Sequence, residues 1–235
     1  MSEVKPVVIF SFDHAANPEI TEFVLDEMHA RDIPATLYVQ TGLIGAKRWN
    51  STAEHLQKLH DHGWDLGSHT VTHARLGFLN EKAIEHELRE SAAELKALGF
   101  TKGIRHFSYP ESSHSPLSME IAKKYFSTAR LVTGKLGTHS PVDDERYLLD
   151  CLSMKAVDPA SKAIDFINLG VEQEKVAHVM FEMIFHENPP AQGYLFDRFI
   201  DILNYADSLR DSGVINIKTV SEQYLDLIES QPESY

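Results

Sequence analysis

The sequence is poor in cysteine, in basic residues and in long apolar runs. Cys151 is the only cysteine among 235 residues, which excludes an intramolecular disulfide and a cysteine-rich zinc knuckle. Only 22 lysine and arginine residues oppose 35 acidic ones, and the net charge of −13 argues against a nucleic-acid partner. No apolar run approaches the ~20 residues that span a bilayer. The first residues show no secretory segment, so we expect a cytoplasmic chain without a membrane span.

The composition is that of a globular protein, with 43% hydrophobic and 24% charged residues. No repeat or low-complexity linker divides the chain, so we predict a single domain over residues 1–235. Strand-like and helix-like segments alternate, which predicts an α/β fold with a mainly parallel sheet and outer helices. Side chains that perform chemistry then belong at the carboxyl ends of the strands.

Fourteen segments carry this alternation. The predicted strands are Val7–Phe12, Ala35–Val39, Trp64–Ser68, Arg105–Tyr109, Thr128–Thr133, Tyr147–Leu152, Val179–Phe185 and Val214–Lys218. The predicted helices are Glu19–Arg31, Thr52–His62, Asn80–Leu98, Leu117–Tyr125, Tyr194–Ser212 and Val220–Glu229.

The chain contains thirteen histidines, the residue that most often binds metals and transfers protons near neutral pH. His69 and His73 directly follow the third predicted strand. If this segment is a helical turn, both imidazoles lie on one face and can share a divalent ion. The alternative is a pair of partly exposed loop histidines, since His55, His60 and His62 show how readily such spacings arise by chance. The preceding strand leads us to favour the metal site.

Two further strand ends carry groups that can transfer protons. Asp13 follows the first strand and is a candidate general base, although the following Asn17-Pro18 is equally consistent with a simple turn. His186 follows the late apolar strand and is a candidate general acid. A histidine bonded to the backbone is the commoner outcome for a lone histidine at a strand end.

Taken together, these motifs resemble those of the NodB-type polysaccharide deacetylases, carbohydrate esterase family 4. The resemblance covers roughly residues 5–228. The segments that carry it, in the family's order, are Ser11-Phe12-Asp13-His14-Ala15, His69-Thr70-Val71-Thr72-His73, Phe107-Ser108-Tyr109-Pro110-Glu111-Ser112 and Ile184-Phe185-His186. It implies a distorted, incomplete (β/α)7-type barrel.

The resemblance also implies an activity, the removal of N-acetyl groups from an amino sugar or a polysaccharide precursor. Asp13 matches the family's catalytic base, His186 its general acid, and His69 and His73 two metal ligands. One divalent ion, most simply zinc, would activate a water molecule. A backbone N–H near Tyr109 would help to stabilise the oxyanion.

The chain departs from the family pattern at several positions. His14 replaces an aspartate ligand, so either His14, His69 and His73 form a three-histidine site or the ion is lost; we favour the retained ion. Ala15 replaces a glycine, which predicts a different path for residues 15–18. Ser108 occupies the position of a frequent arginine, and Arg105 is not assumed to replace it. The family's later motif aspartate has three unranked candidates: Asp150, Asp158 and Asp165.

Two alternatives to the deacetylase remain at this stage. One is a cyclic amide hydrolase of the allantoin or imide type, and the other is a catalytically inactive carbohydrate-binding relative. The expected partner is therefore a carbohydrate or a small amide. The oligomeric state is left open.

Overall fold

The computed structural model describes residues 5–14, 18, 20–47 and 50–225. Its strands are β1 Val7–His14, β2 Thr36–Val39, β3 Asp65–Ser68, β4 His106–Ser108, β5 Thr128–Arg130, β6 Leu152–Ser153, β7 Val176–Phe181, β8 Met183–Phe185, β9 Gly193–Leu195 and β10 Asn216–Ile217. Its α-helices are α1 Leu25–Ala30, α2 Ala53–Asp61, α3 Glu81–Ala97, α4 Pro116–Ala122, α5 Ala160–Glu172, α6 Phe196–Asp211 and α7 Val220–Gln223. A π-helical turn, Ile20–Val24, leads into α1.

The main sheet has the strand order β5-β4-β3-β2-β1-β7-β6, with β10 beside the first residues of β1. All of its strand pairs are parallel. Consecutive strands β1 to β5 are neighbours, because each returns to the sheet through a helical or looped connection. The predicted mainly parallel sheet with outer helices is confirmed.

The central strand β1 connects the hydrophobic core to the carboxyl edge of the sheet. Phe12 is fully buried and stacks on Trp64 and Phe181, with ring centroids 5.3 and 5.7 Å apart. Successive side chains of a strand point to opposite faces. Asp13, the next residue, therefore points away from this aromatic cluster, toward the interior of the curved sheet.

The late apolar run differs from the prediction. The strand expected over Val179–Phe185 is two strands, because β7 ends at Phe181 and β8 pairs with β9 in a separate sheet. Glu182 lies between them. The residue that follows the main-sheet strand is therefore Glu182 rather than His186.

Other predicted bounds also change. The strand expected over Tyr147–Leu152 is wrong for most of its length, because Asp143–Tyr147 forms a 3-10 turn and β6 contains only Leu152–Ser153. Helix α5 was not predicted. Helix α7, Val220–Gln223, confirms the start of the last predicted helix, whose end falls among residues 226–235, and these lie outside the described residues. Residues 15–17 do too, so the altered path expected from Ala15 stays a prediction.

In the described part of the chain, no helix has the length and apolarity needed to cross a membrane.

Candidate active site

Three histidine side chains converge at the carboxyl edge of the sheet. One ligand atom from each of His14, His69 and His73 lies within 4.8 Å of the others. Their ring centroids are 4.5–5.1 Å apart. His14 ends β1 and His69 follows β3, so parallel strands bring together residues that are 55 positions apart in the sequence.

The orientation of His69 leaves one ring nitrogen available to a metal. Its Nδ1–H donates to the backbone carbonyl of Ser108 at 2.8 Å, which directs the Nε2 lone pair toward the cluster. Burial lowers the pKa of His69 to about 3, and burial also lowers the pKa of His73. Both rings are therefore neutral at pH 7. Three imidazoles are an accepted donor set for a catalytic divalent ion, so these residues fit one.

The loop that carries His69 and His73 is not the helical turn considered from the sequence. Thr70 and His73 adopt left-handed backbone conformations, with φ of 65° and 63°. Glu87 of α3 holds the loop: its carboxylate accepts hydrogen bonds from the backbone N–H groups of Val71 and Thr72, both at 2.9 Å, and from the Thr72 hydroxyl at 2.6 Å. The two imidazoles share one side because the loop folds around a buried carboxylate.

Helix α3 is positioned by a side chain at its own start. The Asn80 side-chain oxygen accepts the Ala83 N–H at 3.0 Å, which is the hydrogen bond of an N-cap. This cap fixes the first turn of the helix. Glu87 lies in the next turn and is 6% exposed, so it reaches the ligand loop from a rigid element.

Asp13 forms a buried ion pair with an arginine. Arg130 Nη2 lies 2.5 and 2.6 Å from the two carboxylate oxygens, and it also donates to the Ser108 hydroxyl at 2.6 Å. Burial by itself would raise the pKa of Asp13, but the charge and hydrogen bond of Arg130, together with the neighbouring imidazoles of His69 and His14, hold that pKa below its usual value. Asp13 is thus a carboxylate at neutral pH. Its Oδ2 lies 3.9 Å from His69 Nε2.

Arg130 was not identified from the sequence. It is the last residue of β5 and is 1% exposed. Its guanidinium occupies the space that the short side chain of Ser108 leaves on the neighbouring strand β4. Arg130 Nη1 also contacts Cys151 Sγ at 2.9 Å. The sequence signal was weak: a serine where the family often has arginine, and an arginine inside the next predicted strand, Thr128–Thr133.

Glu182 was also not identified from the sequence. It follows β7, and its Oε2 lies 4.0 Å from His14 Nε2. Burial raises its pKa. The continuous apolar run on both sides of Glu182 hides the strand end that places it here.

His186 lies in a different environment from the other predicted site residues. It follows β8 and is exposed. Its ring centroid is 4.4 Å from that of Phe23 and 4.6 Å from that of Phe196. The structure brings Asp13, His14, His69 and His73 together, whereas the ring contacts described for His186 are with these two aromatic residues. Its role as general acid stays a prediction.

Two further expectations concern groups around the site. The Tyr109 N–H itself donates to the Arg130 carbonyl at 3.0 Å, and an oxyanion donor near Tyr109 stays a prediction. The three aspartates considered for the family's later motif have the following surroundings. Asp150 is hydrogen-bonded to Thr133, Asp158 accepts hydrogen bonds from the Lys155 N–H and from Lys162, and Asp165 is exposed on α5.

A family model described as polysaccharide deacetylase matches residues 2–129, more than half of the chain. The chain belongs to this family. It is similar to a chitooligosaccharide deacetylase of Sinorhizobium fredii, with 27% identity over 105 residues that cover 45% of this chain and 46% of the relative. The match thus spans less than half the length of that curated relative.

Solved structures share the fold. One is a family 4 acetyl xylan esterase from Clostridium thermocellum in complex with a cobalt ion, with a TM-score of 0.61, 15% identity and coverage of 96% of this chain and 93% of that chain. Another is a carbohydrate esterase family 4 pseudoenzyme from Bacillus anthracis, with a TM-score of 0.59, 14% identity and coverage of 93% and 65%. The predicted distorted, incomplete barrel is therefore confirmed.

Proposed function

We propose that this member of the polysaccharide deacetylase family is a metal-dependent hydrolase that removes N-acetyl groups from an amino sugar or a polysaccharide precursor. The observation that carries the proposal is the convergence of three imidazoles, with ligand atoms within 4.8 Å of one another, beside the buried carboxylate of Asp13. The curated relative, which is named for deacetylation of chitooligosaccharides, supports an acetylated amino sugar as the substrate.

His14, His69 and His73 would hold one divalent ion, for which zinc is the simplest candidate. When bound, such an ion acts as a Lewis acid toward the acetyl carbonyl and toward water. The cobalt ion in the acetyl xylan esterase neighbour supports a divalent metal in this fold.

Asp13 is the proposed general base. Arg130 contacts both of its oxygens and fixes the orientation of the carboxylate, so Asp13 accepts a proton at a defined position beside His69. Ser108 orients His69 and Arg130. Its carbonyl accepts a hydrogen bond from His69 Nδ1–H, and its hydroxyl accepts one from Arg130. His186 is the proposed proton donor to the leaving amine, and this role requires it to reach the substrate bound at the histidines.

The test combines elemental analysis with acetate release from N-acetylated chitooligosaccharides. His69→Ala should remove most of the bound metal and the activity while the fold is retained. Asp13→Asn should keep the metal and lower kcat by about 10²- to 10⁴-fold, the usual contribution of a general base. The matched control is His86→Ala, which removes an exposed histidine of α3 and should change neither quantity.

Other outcomes would contradict the proposal. An unchanged metal content in His69→Ala would show that the site is wrongly assigned. Ring opening of allantoin or a cyclic imide without bound metal would favour the cyclic amide hydrolase. Sugar binding without hydrolysis of either substrate would favour an inactive relative.

A further inference from the structure

We infer that Glu182 is a fourth protein ligand of the metal centre, which makes it a site of three imidazoles and one carboxylate. The inference rests on the proposed metal site at His14, His69 and His73. It goes beyond the three-histidine set, in which the remaining position is left to water. It assigns a role to a residue that lies outside the family motifs quoted above.

The register of the sheet places Glu182 beside the cluster. Strands β1 and β7 are parallel, and Phe12 is paired with Phe181. The next residues, Asp13 and Glu182, therefore leave neighbouring strands at the same edge. Phe12 and Phe181 stack on each other in the core. The carboxylates of both following residues reach the histidine cluster, since Asp13 Oδ2 is 3.9 Å from His69 Nε2 and Glu182 Oε2 is 4.0 Å from His14 Nε2.

The distance between Glu182 and His14 suits a shared ion. Glu182 Oε2 is 4.0 Å from His14 Nε2. Zinc binds imidazole nitrogen and carboxylate oxygen at nearly equal distances, so tetrahedral ligand atoms lie about 3.3 Å apart. Glu182 lies outside the group whose ligand atoms are all within 4.8 Å of one another, so its side chain must rotate toward His69 and His73 to bind the same ion. At 21% side-chain exposure, Glu182 has room for this movement without leaving the edge of the cluster.

The balance of charge at the site favours an additional anion. His69 and His73 are neutral, and both oxygens of Asp13 are already bound to Arg130. A divalent ion held by imidazoles alone would therefore place uncompensated charge in a largely buried position, which is costly. Glu111, another carboxylate near the cluster, pairs with Arg75 at 3.1 Å and is 57% exposed. Besides Asp13, whose oxygens are held by Arg130, Glu182 is the carboxylate that lies within 4.0 Å of a cluster histidine in the described residues.

The experiment measures metal affinity without substrate. Apo protein is titrated with Co²⁺ and Zn²⁺ against a chromophoric chelator, and the visible spectrum of the Co²⁺ form reports the ligand set. Glu182→Gln should weaken both metals at least tenfold and change the Co²⁺ spectrum. Glu182→His, which restores a ligand atom, should recover much of the affinity. Circular dichroism checks that each variant is folded.

Two comparisons test whether Glu182 binds the ion directly or only adds a negative charge near it. The matched control is Glu111→Gln, which removes the same charge on the His73 side and should change affinity by less than twofold. His14→Asp supplies a second carboxylate, so Glu182→Gln should weaken binding less in that background than in the wild type. Equal effects in both backgrounds would overturn the inference.

The remaining outcomes are also decisive. If Glu182→Gln binds Co²⁺ as tightly as the wild type with the same spectrum, or if Glu111→Gln weakens binding as much, Glu182 is not a ligand. If the wild type binds metal through Glu182 but releases no acetate, the deacetylase proposal fails and the ligand assignment stands. If His69→Ala keeps its metal, both fail.

Discussion

Asp13 and Asp65 are two buried aspartates at opposite ends of the parallel strands, and their pKa values shift in opposite directions. Asp13, near the carboxyl end of β1, faces Arg130 and has a lowered pKa. Asp65 begins β3 at the amino end. Its Oδ2 accepts the Ser221 N–H at 2.7 Å and lies 3.5 Å from the Thr36 hydroxyl. Burial raises the pKa of Asp65 to about 6.

The difference shows that the partner, rather than burial, decides whether a buried carboxylate stays charged. A guanidinium holds the charge on Asp13, where the proposed chemistry needs it. The amide and hydroxyl donors around Asp65 compensate its desolvation only in part. Its role is structural, because Ser221 lies in the first turn of α7 and this contact attaches that helix to the sheet.

The largest expected effect comes from removing the guanidinium of Arg130, which holds the charge on Asp13. Arg130→Ser leaves Asp13 buried without a charged partner, which should lower the free energy of unfolding by about 3–5 kcal/mol. Urea denaturation measures this loss. Deacetylase activity should fall as well, because the carboxylate loses its fixed orientation.

The relocation variant provides the control. In Ser108→Arg/Arg130→Ser the guanidinium is carried by β4, the strand where the family often has an arginine. We expect this double variant to recover part of both the stability and the activity. If the double variant is no better than Arg130→Ser alone, a guanidinium beside Asp13 is not what matters.

A smaller effect should appear at the other aspartate as a pH dependence. The pKa of Asp65 rises from 3.8 to about 6 on folding, so the folded state binds more protons between these values. Stability should therefore fall as the pH rises from about 4 to 6, by on the order of 1–3 kcal/mol. Asp65→Asn should flatten this part of the curve in urea denaturation. An unchanged curve in the variant would mean that another group is responsible.

The smallest effect concerns the hydroxyl next to Asp65. Ser221→Ala keeps the backbone N–H bond to Asp65 but removes the 3.1 Å contact between Ser221 Oγ and His106 Nε2. We expect a loss of about 1 kcal/mol in stability, measured by thermal denaturation, and no change in kcat. A fall in kcat would show that the amino end of the sheet influences the site, contrary to the comparison.

The histidine cluster could be predicted from the sequence because its signals are local. His69 and His73 directly follow a strand, and parallel strands bring His14 to the same edge. Arg130 could not be predicted in this way, because it lies 117 positions from Asp13 and reaches it across Ser108. Its position depends on how the sheet curves, which no short motif records.

The fold was predictable where apolar period and end signals agree. Helix α3 has both an N-cap and a regular buried face, and its predicted bounds are within one residue of those observed. Helix α5 buries Ala163, Phe166, Ile167 and Gly170 at helical spacing, but it starts without a side-chain cap and contains a glycine, which weakens the signal. The break at Glu182 has no glycine or proline to mark it.

Glu87 has a consequence for how this protein would take up its ion. Three hydrogen bonds from residues 71 and 72 converge on this one carboxylate, so the loop between His69 and His73 acquires its shape when the chain folds. The conformational entropy of that loop is lost before any ion arrives. A chelator would therefore leave a folded protein behind, ready to be reloaded. Exchange of one metal for another becomes a local substitution of ligands, without unfolding and refolding of the chain.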